Sequence, residues 1–398
     1  MIKRFVYLLS ALIAVASCSD MADRPEYHYN DAEYINFGAP ELTVESRAPE
    51  EALPSGVKKG STLLSEIAPN TSFGVIGYCR AKYPGTNNET DNSSGNSPWS
   101  SKVDNVFPEI FLNQEVKFDG NVCTYSYGSS GAPRKWLSNT DAGGIETSDF
   151  KYTFFSYYPF VRFDIENPTS LASRGAPRIK YSMPFISNDQ NAILEQATIP
   201  DVMLDAKYNF MRYDGKVAFN YSHVLTALSF TVNNYSGIPG EGGLVEGQRL
   251  IVKKIELKGK FWRTVKVDFS SSIVGLDFPD DETYQGTFVI YDNPAGMEIP
   301  YNDVNFKPAF ADQYILLISG KHVEGGMSYL GDVKVRIEYE FDGIPDYYEE
   351  GRPGTFVPTP GTMYQAQLNF VGDAFVLQFV DANNEVWGDG SDTDITFE

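Results

Sequence analysis

In the most regular stretches of this 398-residue sequence, apolar side chains recur at every second position, a period that fits strands and does not fit helices. Val333, Val335, Ile337, Tyr339 and Phe341 alternate with Lys334, Arg336, Glu338 and Glu340. Tyr364, Ala366, Leu368 and Phe370 repeat the pattern against Gln365, Gln367 and Asn369, and Val265, Val267 and Phe269 do so more briefly. Successive side chains on a strand point to opposite faces, so each stretch predicts a half-buried antiparallel strand. Residues 314–318 and 375–377 are continuously apolar and predict fully buried strands. The phase changes once. Val217, Phe219 and Tyr221 are apolar on odd numbers, Val224, Leu228, Phe230 and Val232 on even ones, so a bulge or break is expected near His223. The best helical candidates, 62–67 and 191–196, are two turns at most. Aromatics make up 14% of the chain, and 34 Gly and 23 Pro supply turns, which together predict an all-β protein.

The first residues are of a different kind. Lys3 and Arg4 precede a short apolar run from Phe5 to Ala16, then Ser17 and Cys18. A basic start, a short apolar stretch and small residues before the cut describe a secretory leader. A membrane-spanning helix needs about 20 apolar residues, and this run meets the polar Cys18-Ser19-Asp20 too soon. Val15-Ala16-Ser17-Cys18 resembles a lipobox, in which a diacylglycerol thioether forms on the Cys before the leader is removed. Each buried acyl methylene is worth about 0.8 kcal/mol, so a multiply acylated (palmitate-bearing) Cys18 is expected to hold the chain to a membrane permanently. Residues 19–33 are polar and acidic and suit a tether. The strand-capable pieces Ile35 and Phe37, then Leu42 and Val44, stand alone ahead of the main fold.

About 380 residues follow the leader, more than one compact core usually serves, so two domains are expected. The expected organisation is leader 1–17, tether and N-terminal strand 18–47, one β-sandwich over 48–210 and a second over 211–398. Segment 85–97 is polar and of low complexity, hence an exposed loop. Taking Lys3 and Arg4 from the 32 basic residues leaves 30 against 53 acidic ones. A surface this acidic repels phosphate backbones, which argues against nucleic acid as a partner.

Little in the sequence points to chemistry. The three histidines, His28, His223 and His322, share no metal-ligand spacing, and no phosphate loop, dinucleotide glycine pattern or nucleophile elbow occurs. Neither cofactor nor metal is expected. His223 reads as a structural histidine at the strand break. Asp389 to Asp394 offers oxygens to calcium but lacks the distal bidentate Glu, so a turn is expected there. With Cys18 lipidated, Cys79 and Cys123 remain in an oxidising compartment, and both a disulfide between them and two separate thiols fit the sequence.

Several segments in consistent order over nearly the whole chain resemble the fimbrillins, exported pilus-subunit lipoproteins of anaerobic Gram-negative bacteria. They are the lipobox at Cys18, Ser72-Phe73-Gly74-Val75-Ile76-Gly77-Tyr78, Lys135-Trp136 and Tyr152-Thr153-Phe154-Phe155-Ser156-Tyr157-Tyr158-Pro159. Pro200 to Ala206, Phe219 to Phe230, Pro360-Gly361-Thr362-Met363-Tyr364 and Val386-Trp387 complete the set. The resemblance implies two tandem transthyretin-like β-sandwich domains and a non-enzymatic fimbrial subunit at the outer membrane and cell surface, acting in adhesion. It also implies an N-terminal strand removed after an Arg by an Arg-specific surface protease, leaving a groove that a strand from another fimbrial subunit fills. Arg47, followed by Ala48, stands at the right place for that cut. A monomeric glycan-binding lipoprotein using exposed aromatics is the alternative, and a lipoprotein hydrolase with two carboxylates meeting in space is a third reading.

Overall fold

The computed structural model describes residues 33–42, 53–60, 67–80, 108, 110–137, 139–140, 146–147, 151–160, 164–166, 178–183, 192–194, 196, 199–234, 243–268, 275–277, 283–301, 306–318, 321–323, 326–328, 333–350, 360–371 and 374–381. Among them the regular elements are all strands. The predicted loop 85–97, the calcium-like stretch near 390 and the candidate helix over most of 62–67 lie outside the described residues.

A seven-stranded sheet organises the first half. Its order is Glu41–Leu42, Asn220–His223, Met203–Phe210, Lys151–Tyr158, Thr71–Arg80, Phe111–Phe118 and Cys123–Thr124. Every neighbouring pair is antiparallel except the first, which is parallel. Both faces of its centre are covered. Phe73, Val75, Tyr152, Phe154, Phe219 and Tyr221 pack on one side with Ile35 and Phe37. Ile76, Tyr78, Phe155, Tyr157 and Leu204 pack on the other with Ile179, Tyr181, Val265 and Val267. That double burial accounts for the aromatic run Tyr152 to Tyr158, which has no solvent face along which to alternate. The polar members are satisfied internally: Ser156 Oγ donates to Gly74 O at 2.9 Å and meets Tyr221 Oη at 2.5 Å.

The second half stacks two sheets. One runs Ala192–Leu194, Thr283–Ile299, Leu250–Trp262, Lys334–Phe341 and Ile344–Glu350; the other runs Ile315–Leu317, Thr226–Asn233, Met363–Val371 and Ala374–Asp381. Leu250, Val252, Ile255 and Leu257 from the first meet Leu228, Phe230, Leu368 and Phe370 from the second in one apolar cluster. The alternating stretches at 333–341 and 364–370 are strands as expected, with Val335, Ile337, Leu368 and Phe370 at 0–1% exposure.

Two expectations need correction. Within 191–196, Ala192–Leu194 is not helical, because it runs parallel to Gly286–Phe288 as an edge strand. Residues 375–377 are not fully buried: their strand lies at a sheet edge, and Val376 is 49% exposed while Phe375 is 3% exposed. Val217, Phe219 and Tyr221 stay with the first sheet, and the chain passes to the second half between His223 and Thr226, at the expected phase change. Arg178–Ser182 pairs with Thr264–Asp268, and Val57 bridges Tyr291. Last, Thr226 to Thr231 is buried on both faces, so the even-numbered apolar pattern there marked only one of two covered sides.

Candidate functional site

Residues 33–42 run between residues 217–221 and the run 134–136 and are hydrogen-bonded to both. On one side Ile35 N–H donates to Arg134 O at 2.8 Å and Trp136 N–H to Glu33 O at 3.1 Å, around an antiparallel bridge from Tyr34 to Lys135. On the other, Val217 N–H donates to Asn36 O at 2.9 Å, Gly38 N–H to Val217 O at 3.0 Å and Glu41 N–H to Phe219 O at 2.9 Å. These bonds run parallel and lead into the pairing of Glu41–Leu42 with Asn220 and Tyr221. The segment joins that edge of the sheet to the Arg134–Trp136 run.

Its side chains complete the core on that face. Ile35 is fully buried and Phe37 is 4% exposed. The Phe37 ring stands 5.4 Å from Tyr125, 5.8 Å from Phe111, 6.1 Å from Phe73, 6.2 Å from Phe219 and 6.4 Å from Phe154. Three of these five contacts are edge-on, the geometry the ring quadrupole favours. Burying one such side chain is worth about 1.5–3 kcal/mol, and aromatic pairing adds to it.

The run from Cys123 to Leu137 straps the segment from the side. Tyr125 Oη donates to Ile35 O at 2.7 Å and accepts Arg134 N–H at 3.0 Å. Cys123 Sγ donates to Gly38 O at 3.1 Å. Burial pushes the Cys123 thiol up to about 11 and the Tyr125 hydroxyl up to about 12, so both stay protonated donors at neutral pH. Arg134 pairs with the Tyr127 hydroxyl and lies over its ring, 4.6 Å from the centroid. At the exposed end Lys135 pairs with Glu33 and sits 5.4 Å from the Tyr34 ring centre. Trp136, 5% exposed, anchors the strap against Tyr152 and Phe210.

Of the residues singled out in the sequence, Cys18, Arg47 and Ala48 lie outside the described residues. Cys79 and Cys123 are not brought together. Cys79 pairs with Tyr152 at one end of its strand, while Cys123 pairs with Phe118, which pairs with Thr71 at the other end. Eight residues of strand at about 3.3 Å each separate those levels, far beyond the ~7 Å a disulfide spans. Cys123 is a free thiol. His223 Nδ1 lies 3.0 Å from Asp201, both buried, where the chain leaves the first sheet. The strap was missed in the sequence; the alternation of Tyr125 and Tyr127, followed by Lys135-Trp136, was its one signal. Trp136 and Trp262 are core residues, and of the exposed tyrosines Tyr213 and Tyr301 lie in separate turns and Tyr347 on the strand Ile344–Glu350.

The arrangement is that of an all-β protein whose first sheet is completed by a sequence-remote strand. Its structural neighbours are fimbrial and putative cell adhesion proteins, at low identity and with most of each chain covered. A fimbrial protein from Bacteroides vulgatus is 15% identical, with 78% of this chain and 92% of that one aligned at a TM-score of 0.49. A putative cell adhesion protein from Bacteroides ovatus is also 15% identical, covering 88% and 96% at 0.42. The C-terminally truncated tip fimbrial protein from Porphyromonas gingivalis is 10% identical, covering 78% and 93% at 0.33. No family model and no curated protein matches the sequence.

Proposed function

We propose that the protein is a fimbrial subunit or fimbrillin-like surface lipoprotein, held at the outer membrane by lipid on Cys18 and acting in adhesion. In this reading its sheets form two tandem transthyretin-like sandwiches. It polymerises by strand exchange once an Arg-specific protease cuts between Arg47 and Ala48. The observation that carries the proposal is that residues 33–42, upstream of that cut, are bonded on both sides and fill the core with Ile35 and Phe37.

Cutting downstream of such a segment changes its standing without touching its contacts. While joined, the segment is present at an effective concentration on the order of millimolar; once cut, it is a separate peptide that dilutes away. Its departure bares an apolar floor of Phe73, Phe111, Phe154 and Phe219 and unpairs the amides and carbonyls of Arg134, Trp136, Val217 and Phe219. A strand from another subunit satisfies both losses at once. Ile35-Asn36-Phe37 recurs as Ile395-Thr396-Phe397, and no other isoleucine in the sequence is followed two residues later by phenylalanine. The C-terminal stretch therefore carries the same apolar pair as the segment to be replaced.

The test is to treat the soluble chain lacking residues 1–18 with an Arg-specific protease and follow its N-terminus and its mass on a native gel. A new N-terminus at Ala48 with an SDS-resistant ladder of oligomers is expected. A clean cut there that leaves monomers overturns self-polymerisation of this chain by strand exchange.

A further inference from the structure

The slot that holds residues 33–42 is selective at three positions. The side chain at 35 is fully enclosed, and the one at 37 is ringed by five aromatic groups. Position 38 is restricted for another reason. A Cβ added to Gly38 would stand 2.9 Å from the Ala218 Cβ, well inside the ~3.5 Å at which carbon atoms make favourable contact. Neither backbone is free to yield, because Gly38 N–H and Val217 N–H tie the two chains on either side of the contact, at 3.0 and 2.9 Å.

We infer that the slot selects a strand of the pattern branched aliphatic, any residue, aromatic, glycine, running in the same direction as residues 217–221, and that Ala218 sets the glycine requirement. The inference rests on the strand-exchange reading above and narrows it. The same direction is required because only a parallel strand reuses the donors and acceptors of Val217 and Phe219 in their observed order. Ile35-Asn36-Phe37-Gly38 meets all three requirements, whereas Ile395-Thr396-Phe397-Glu398 meets the first two and places Glu398 where the glycine belongs. The chain's own C-terminal stretch is therefore a second-rate occupant of its own slot. The favoured neighbour is a different subunit that carries glycine after the aromatic residue.

Two measurements on the mature chain without Cys18 test this. The first reads how firmly the native segment sits, through the rate at which iodoacetamide modifies Cys123, followed by peptide mass mapping. Gly38→Ala should speed modification about tenfold, and adding Ala218→Gly should return it to within about twofold of the parent. An unchanged rate in Gly38→Ala, or no recovery in the double variant, overturns the close-approach rule. The second adds labelled peptides of residues 34–41, with and without Gly38→Glu, to protein cut after Arg47. The glycine peptide should enter at least about tenfold better, and equal entry overturns the selectivity. If neither enters, strand exchange itself fails, and the variant pair still decides whether Ala218 restricts position 38.

Discussion

The first sheet and the paired sheets of the second half are built from the same kinds of residue but are completed in different ways. In the second half, Lys334–Phe341 continues into Ile344–Glu350 through Asp342 and Gly343, both at positive φ (48° and 82°), the turn that suits a two-residue hairpin. Met363–Val371 turns directly into Ala374–Asp381, with Val371 opposite Ala374. In these two hairpins each strand brings its own neighbour. The first sheet instead waits for Ile35 and Phe37, whose contacts include Tyr125, 90 residues from Ile35. An element with no sequence-local partner is held only by the place it fills, which is the property that the proposed strand exchange needs.

The largest expected effect breaks this comparison most directly. Phe37→Ala removes the ring at the centre of five aromatic contacts, and large-to-small changes of this kind cost about 3–5 kcal/mol. Hydrogen exchange should accelerate in 71–80 and 151–158 while 334–350 keeps its protection. Equal loss in both regions would mean that the shared cluster joining Ile76 and Tyr157 to the second half makes the molecule one cooperative unit.

The regions should also answer pH in opposite directions. In the second half Glu256, 5% exposed, is held by Lys254 at 2.8 Å and Lys258 at 2.7 Å. Burial works to raise its pKa, but the hydrogen bonds from the two lysines outweigh it and the carboxyl lies below its ordinary 4.5. A lowered folded-state value means that the stabilisation is complete above about pH 4.5 and is lost as pH falls through the folded pKa. Glu256→Gln should cost on the order of 1–2 kcal/mol at neutral pH, less than a dry pair because both lysines keep contact with water. It should also flatten the acid limb of a pH–stability curve. Around residues 33–42 the exposed Lys135 is raised by its hydrogen bond to Glu33, and the buried perturbed groups that bond the segment are Cys123 and Tyr125, both raised by burial. Their stabilisation is complete at neutral pH and is lost as pH climbs past their ordinary 9.0 and 10.0 toward about 11 and 12. Exchange measured at pH 4 and pH 10.5 should therefore loosen 250–262 first in acid and 33–38 first in alkali. The same region loosening first at both extremes would sink the contrast.

What could be read in the sequence follows the same division. The strands at 333–341 and 364–370 announce themselves because one face is covered, so the period of two survives in the residues. Where both faces are covered, as in Lys151–Tyr158 and Thr226–Asn233, the pattern collapses into an apolar run that gives length but not orientation. Ile35 and Phe37 were legible as a strand ahead of the fold, but their partners were not, because Val217, Trp136 and Phe111 lie far along the chain. Asn191 to Gln196 looked helical because three residues are too few to show a period, and parallel pairing to Gly286–Phe288 is fixed by a remote strand. The Cys79 and Cys123 pairing was undecidable without register, which places them at opposite ends of strands that flank Phe111–Phe118.

A smaller effect tests the local closure of the second half. Gly343 sits at φ +82° with open space where a Cβ would be, so Gly343→Ala suffers only from the left-handed backbone. It should cost about 1 kcal/mol, seen as faster exchange confined to 334–350, with residues 33–38 untouched. Spread of the effect to the slot would mean that the second half does not close on its own.

The smallest effect separates what decorates the slot from what holds it. Lys135 pairs with Glu33 and leans over Tyr34, the most visible side-chain link between strap and segment. Both charges are solvent-exposed, and exposed pairs contribute little once side-chain entropy and salt are counted. Lys135→Ala should leave the Cys123 modification rate and the denaturation midpoint unchanged at physiological salt, while Phe37→Ala shifts both. The backbone bonds at Arg134 and Trp136 do not depend on the Lys135 side chain, and Trp136 keeps its packing on Tyr152 and Phe210. A marked rise in Cys123 modification in Lys135→Ala would place the hold on the segment in the strap's charges. Any neighbour could then release the native strand with a competing acidic side chain, without first displacing Phe37 from its pocket.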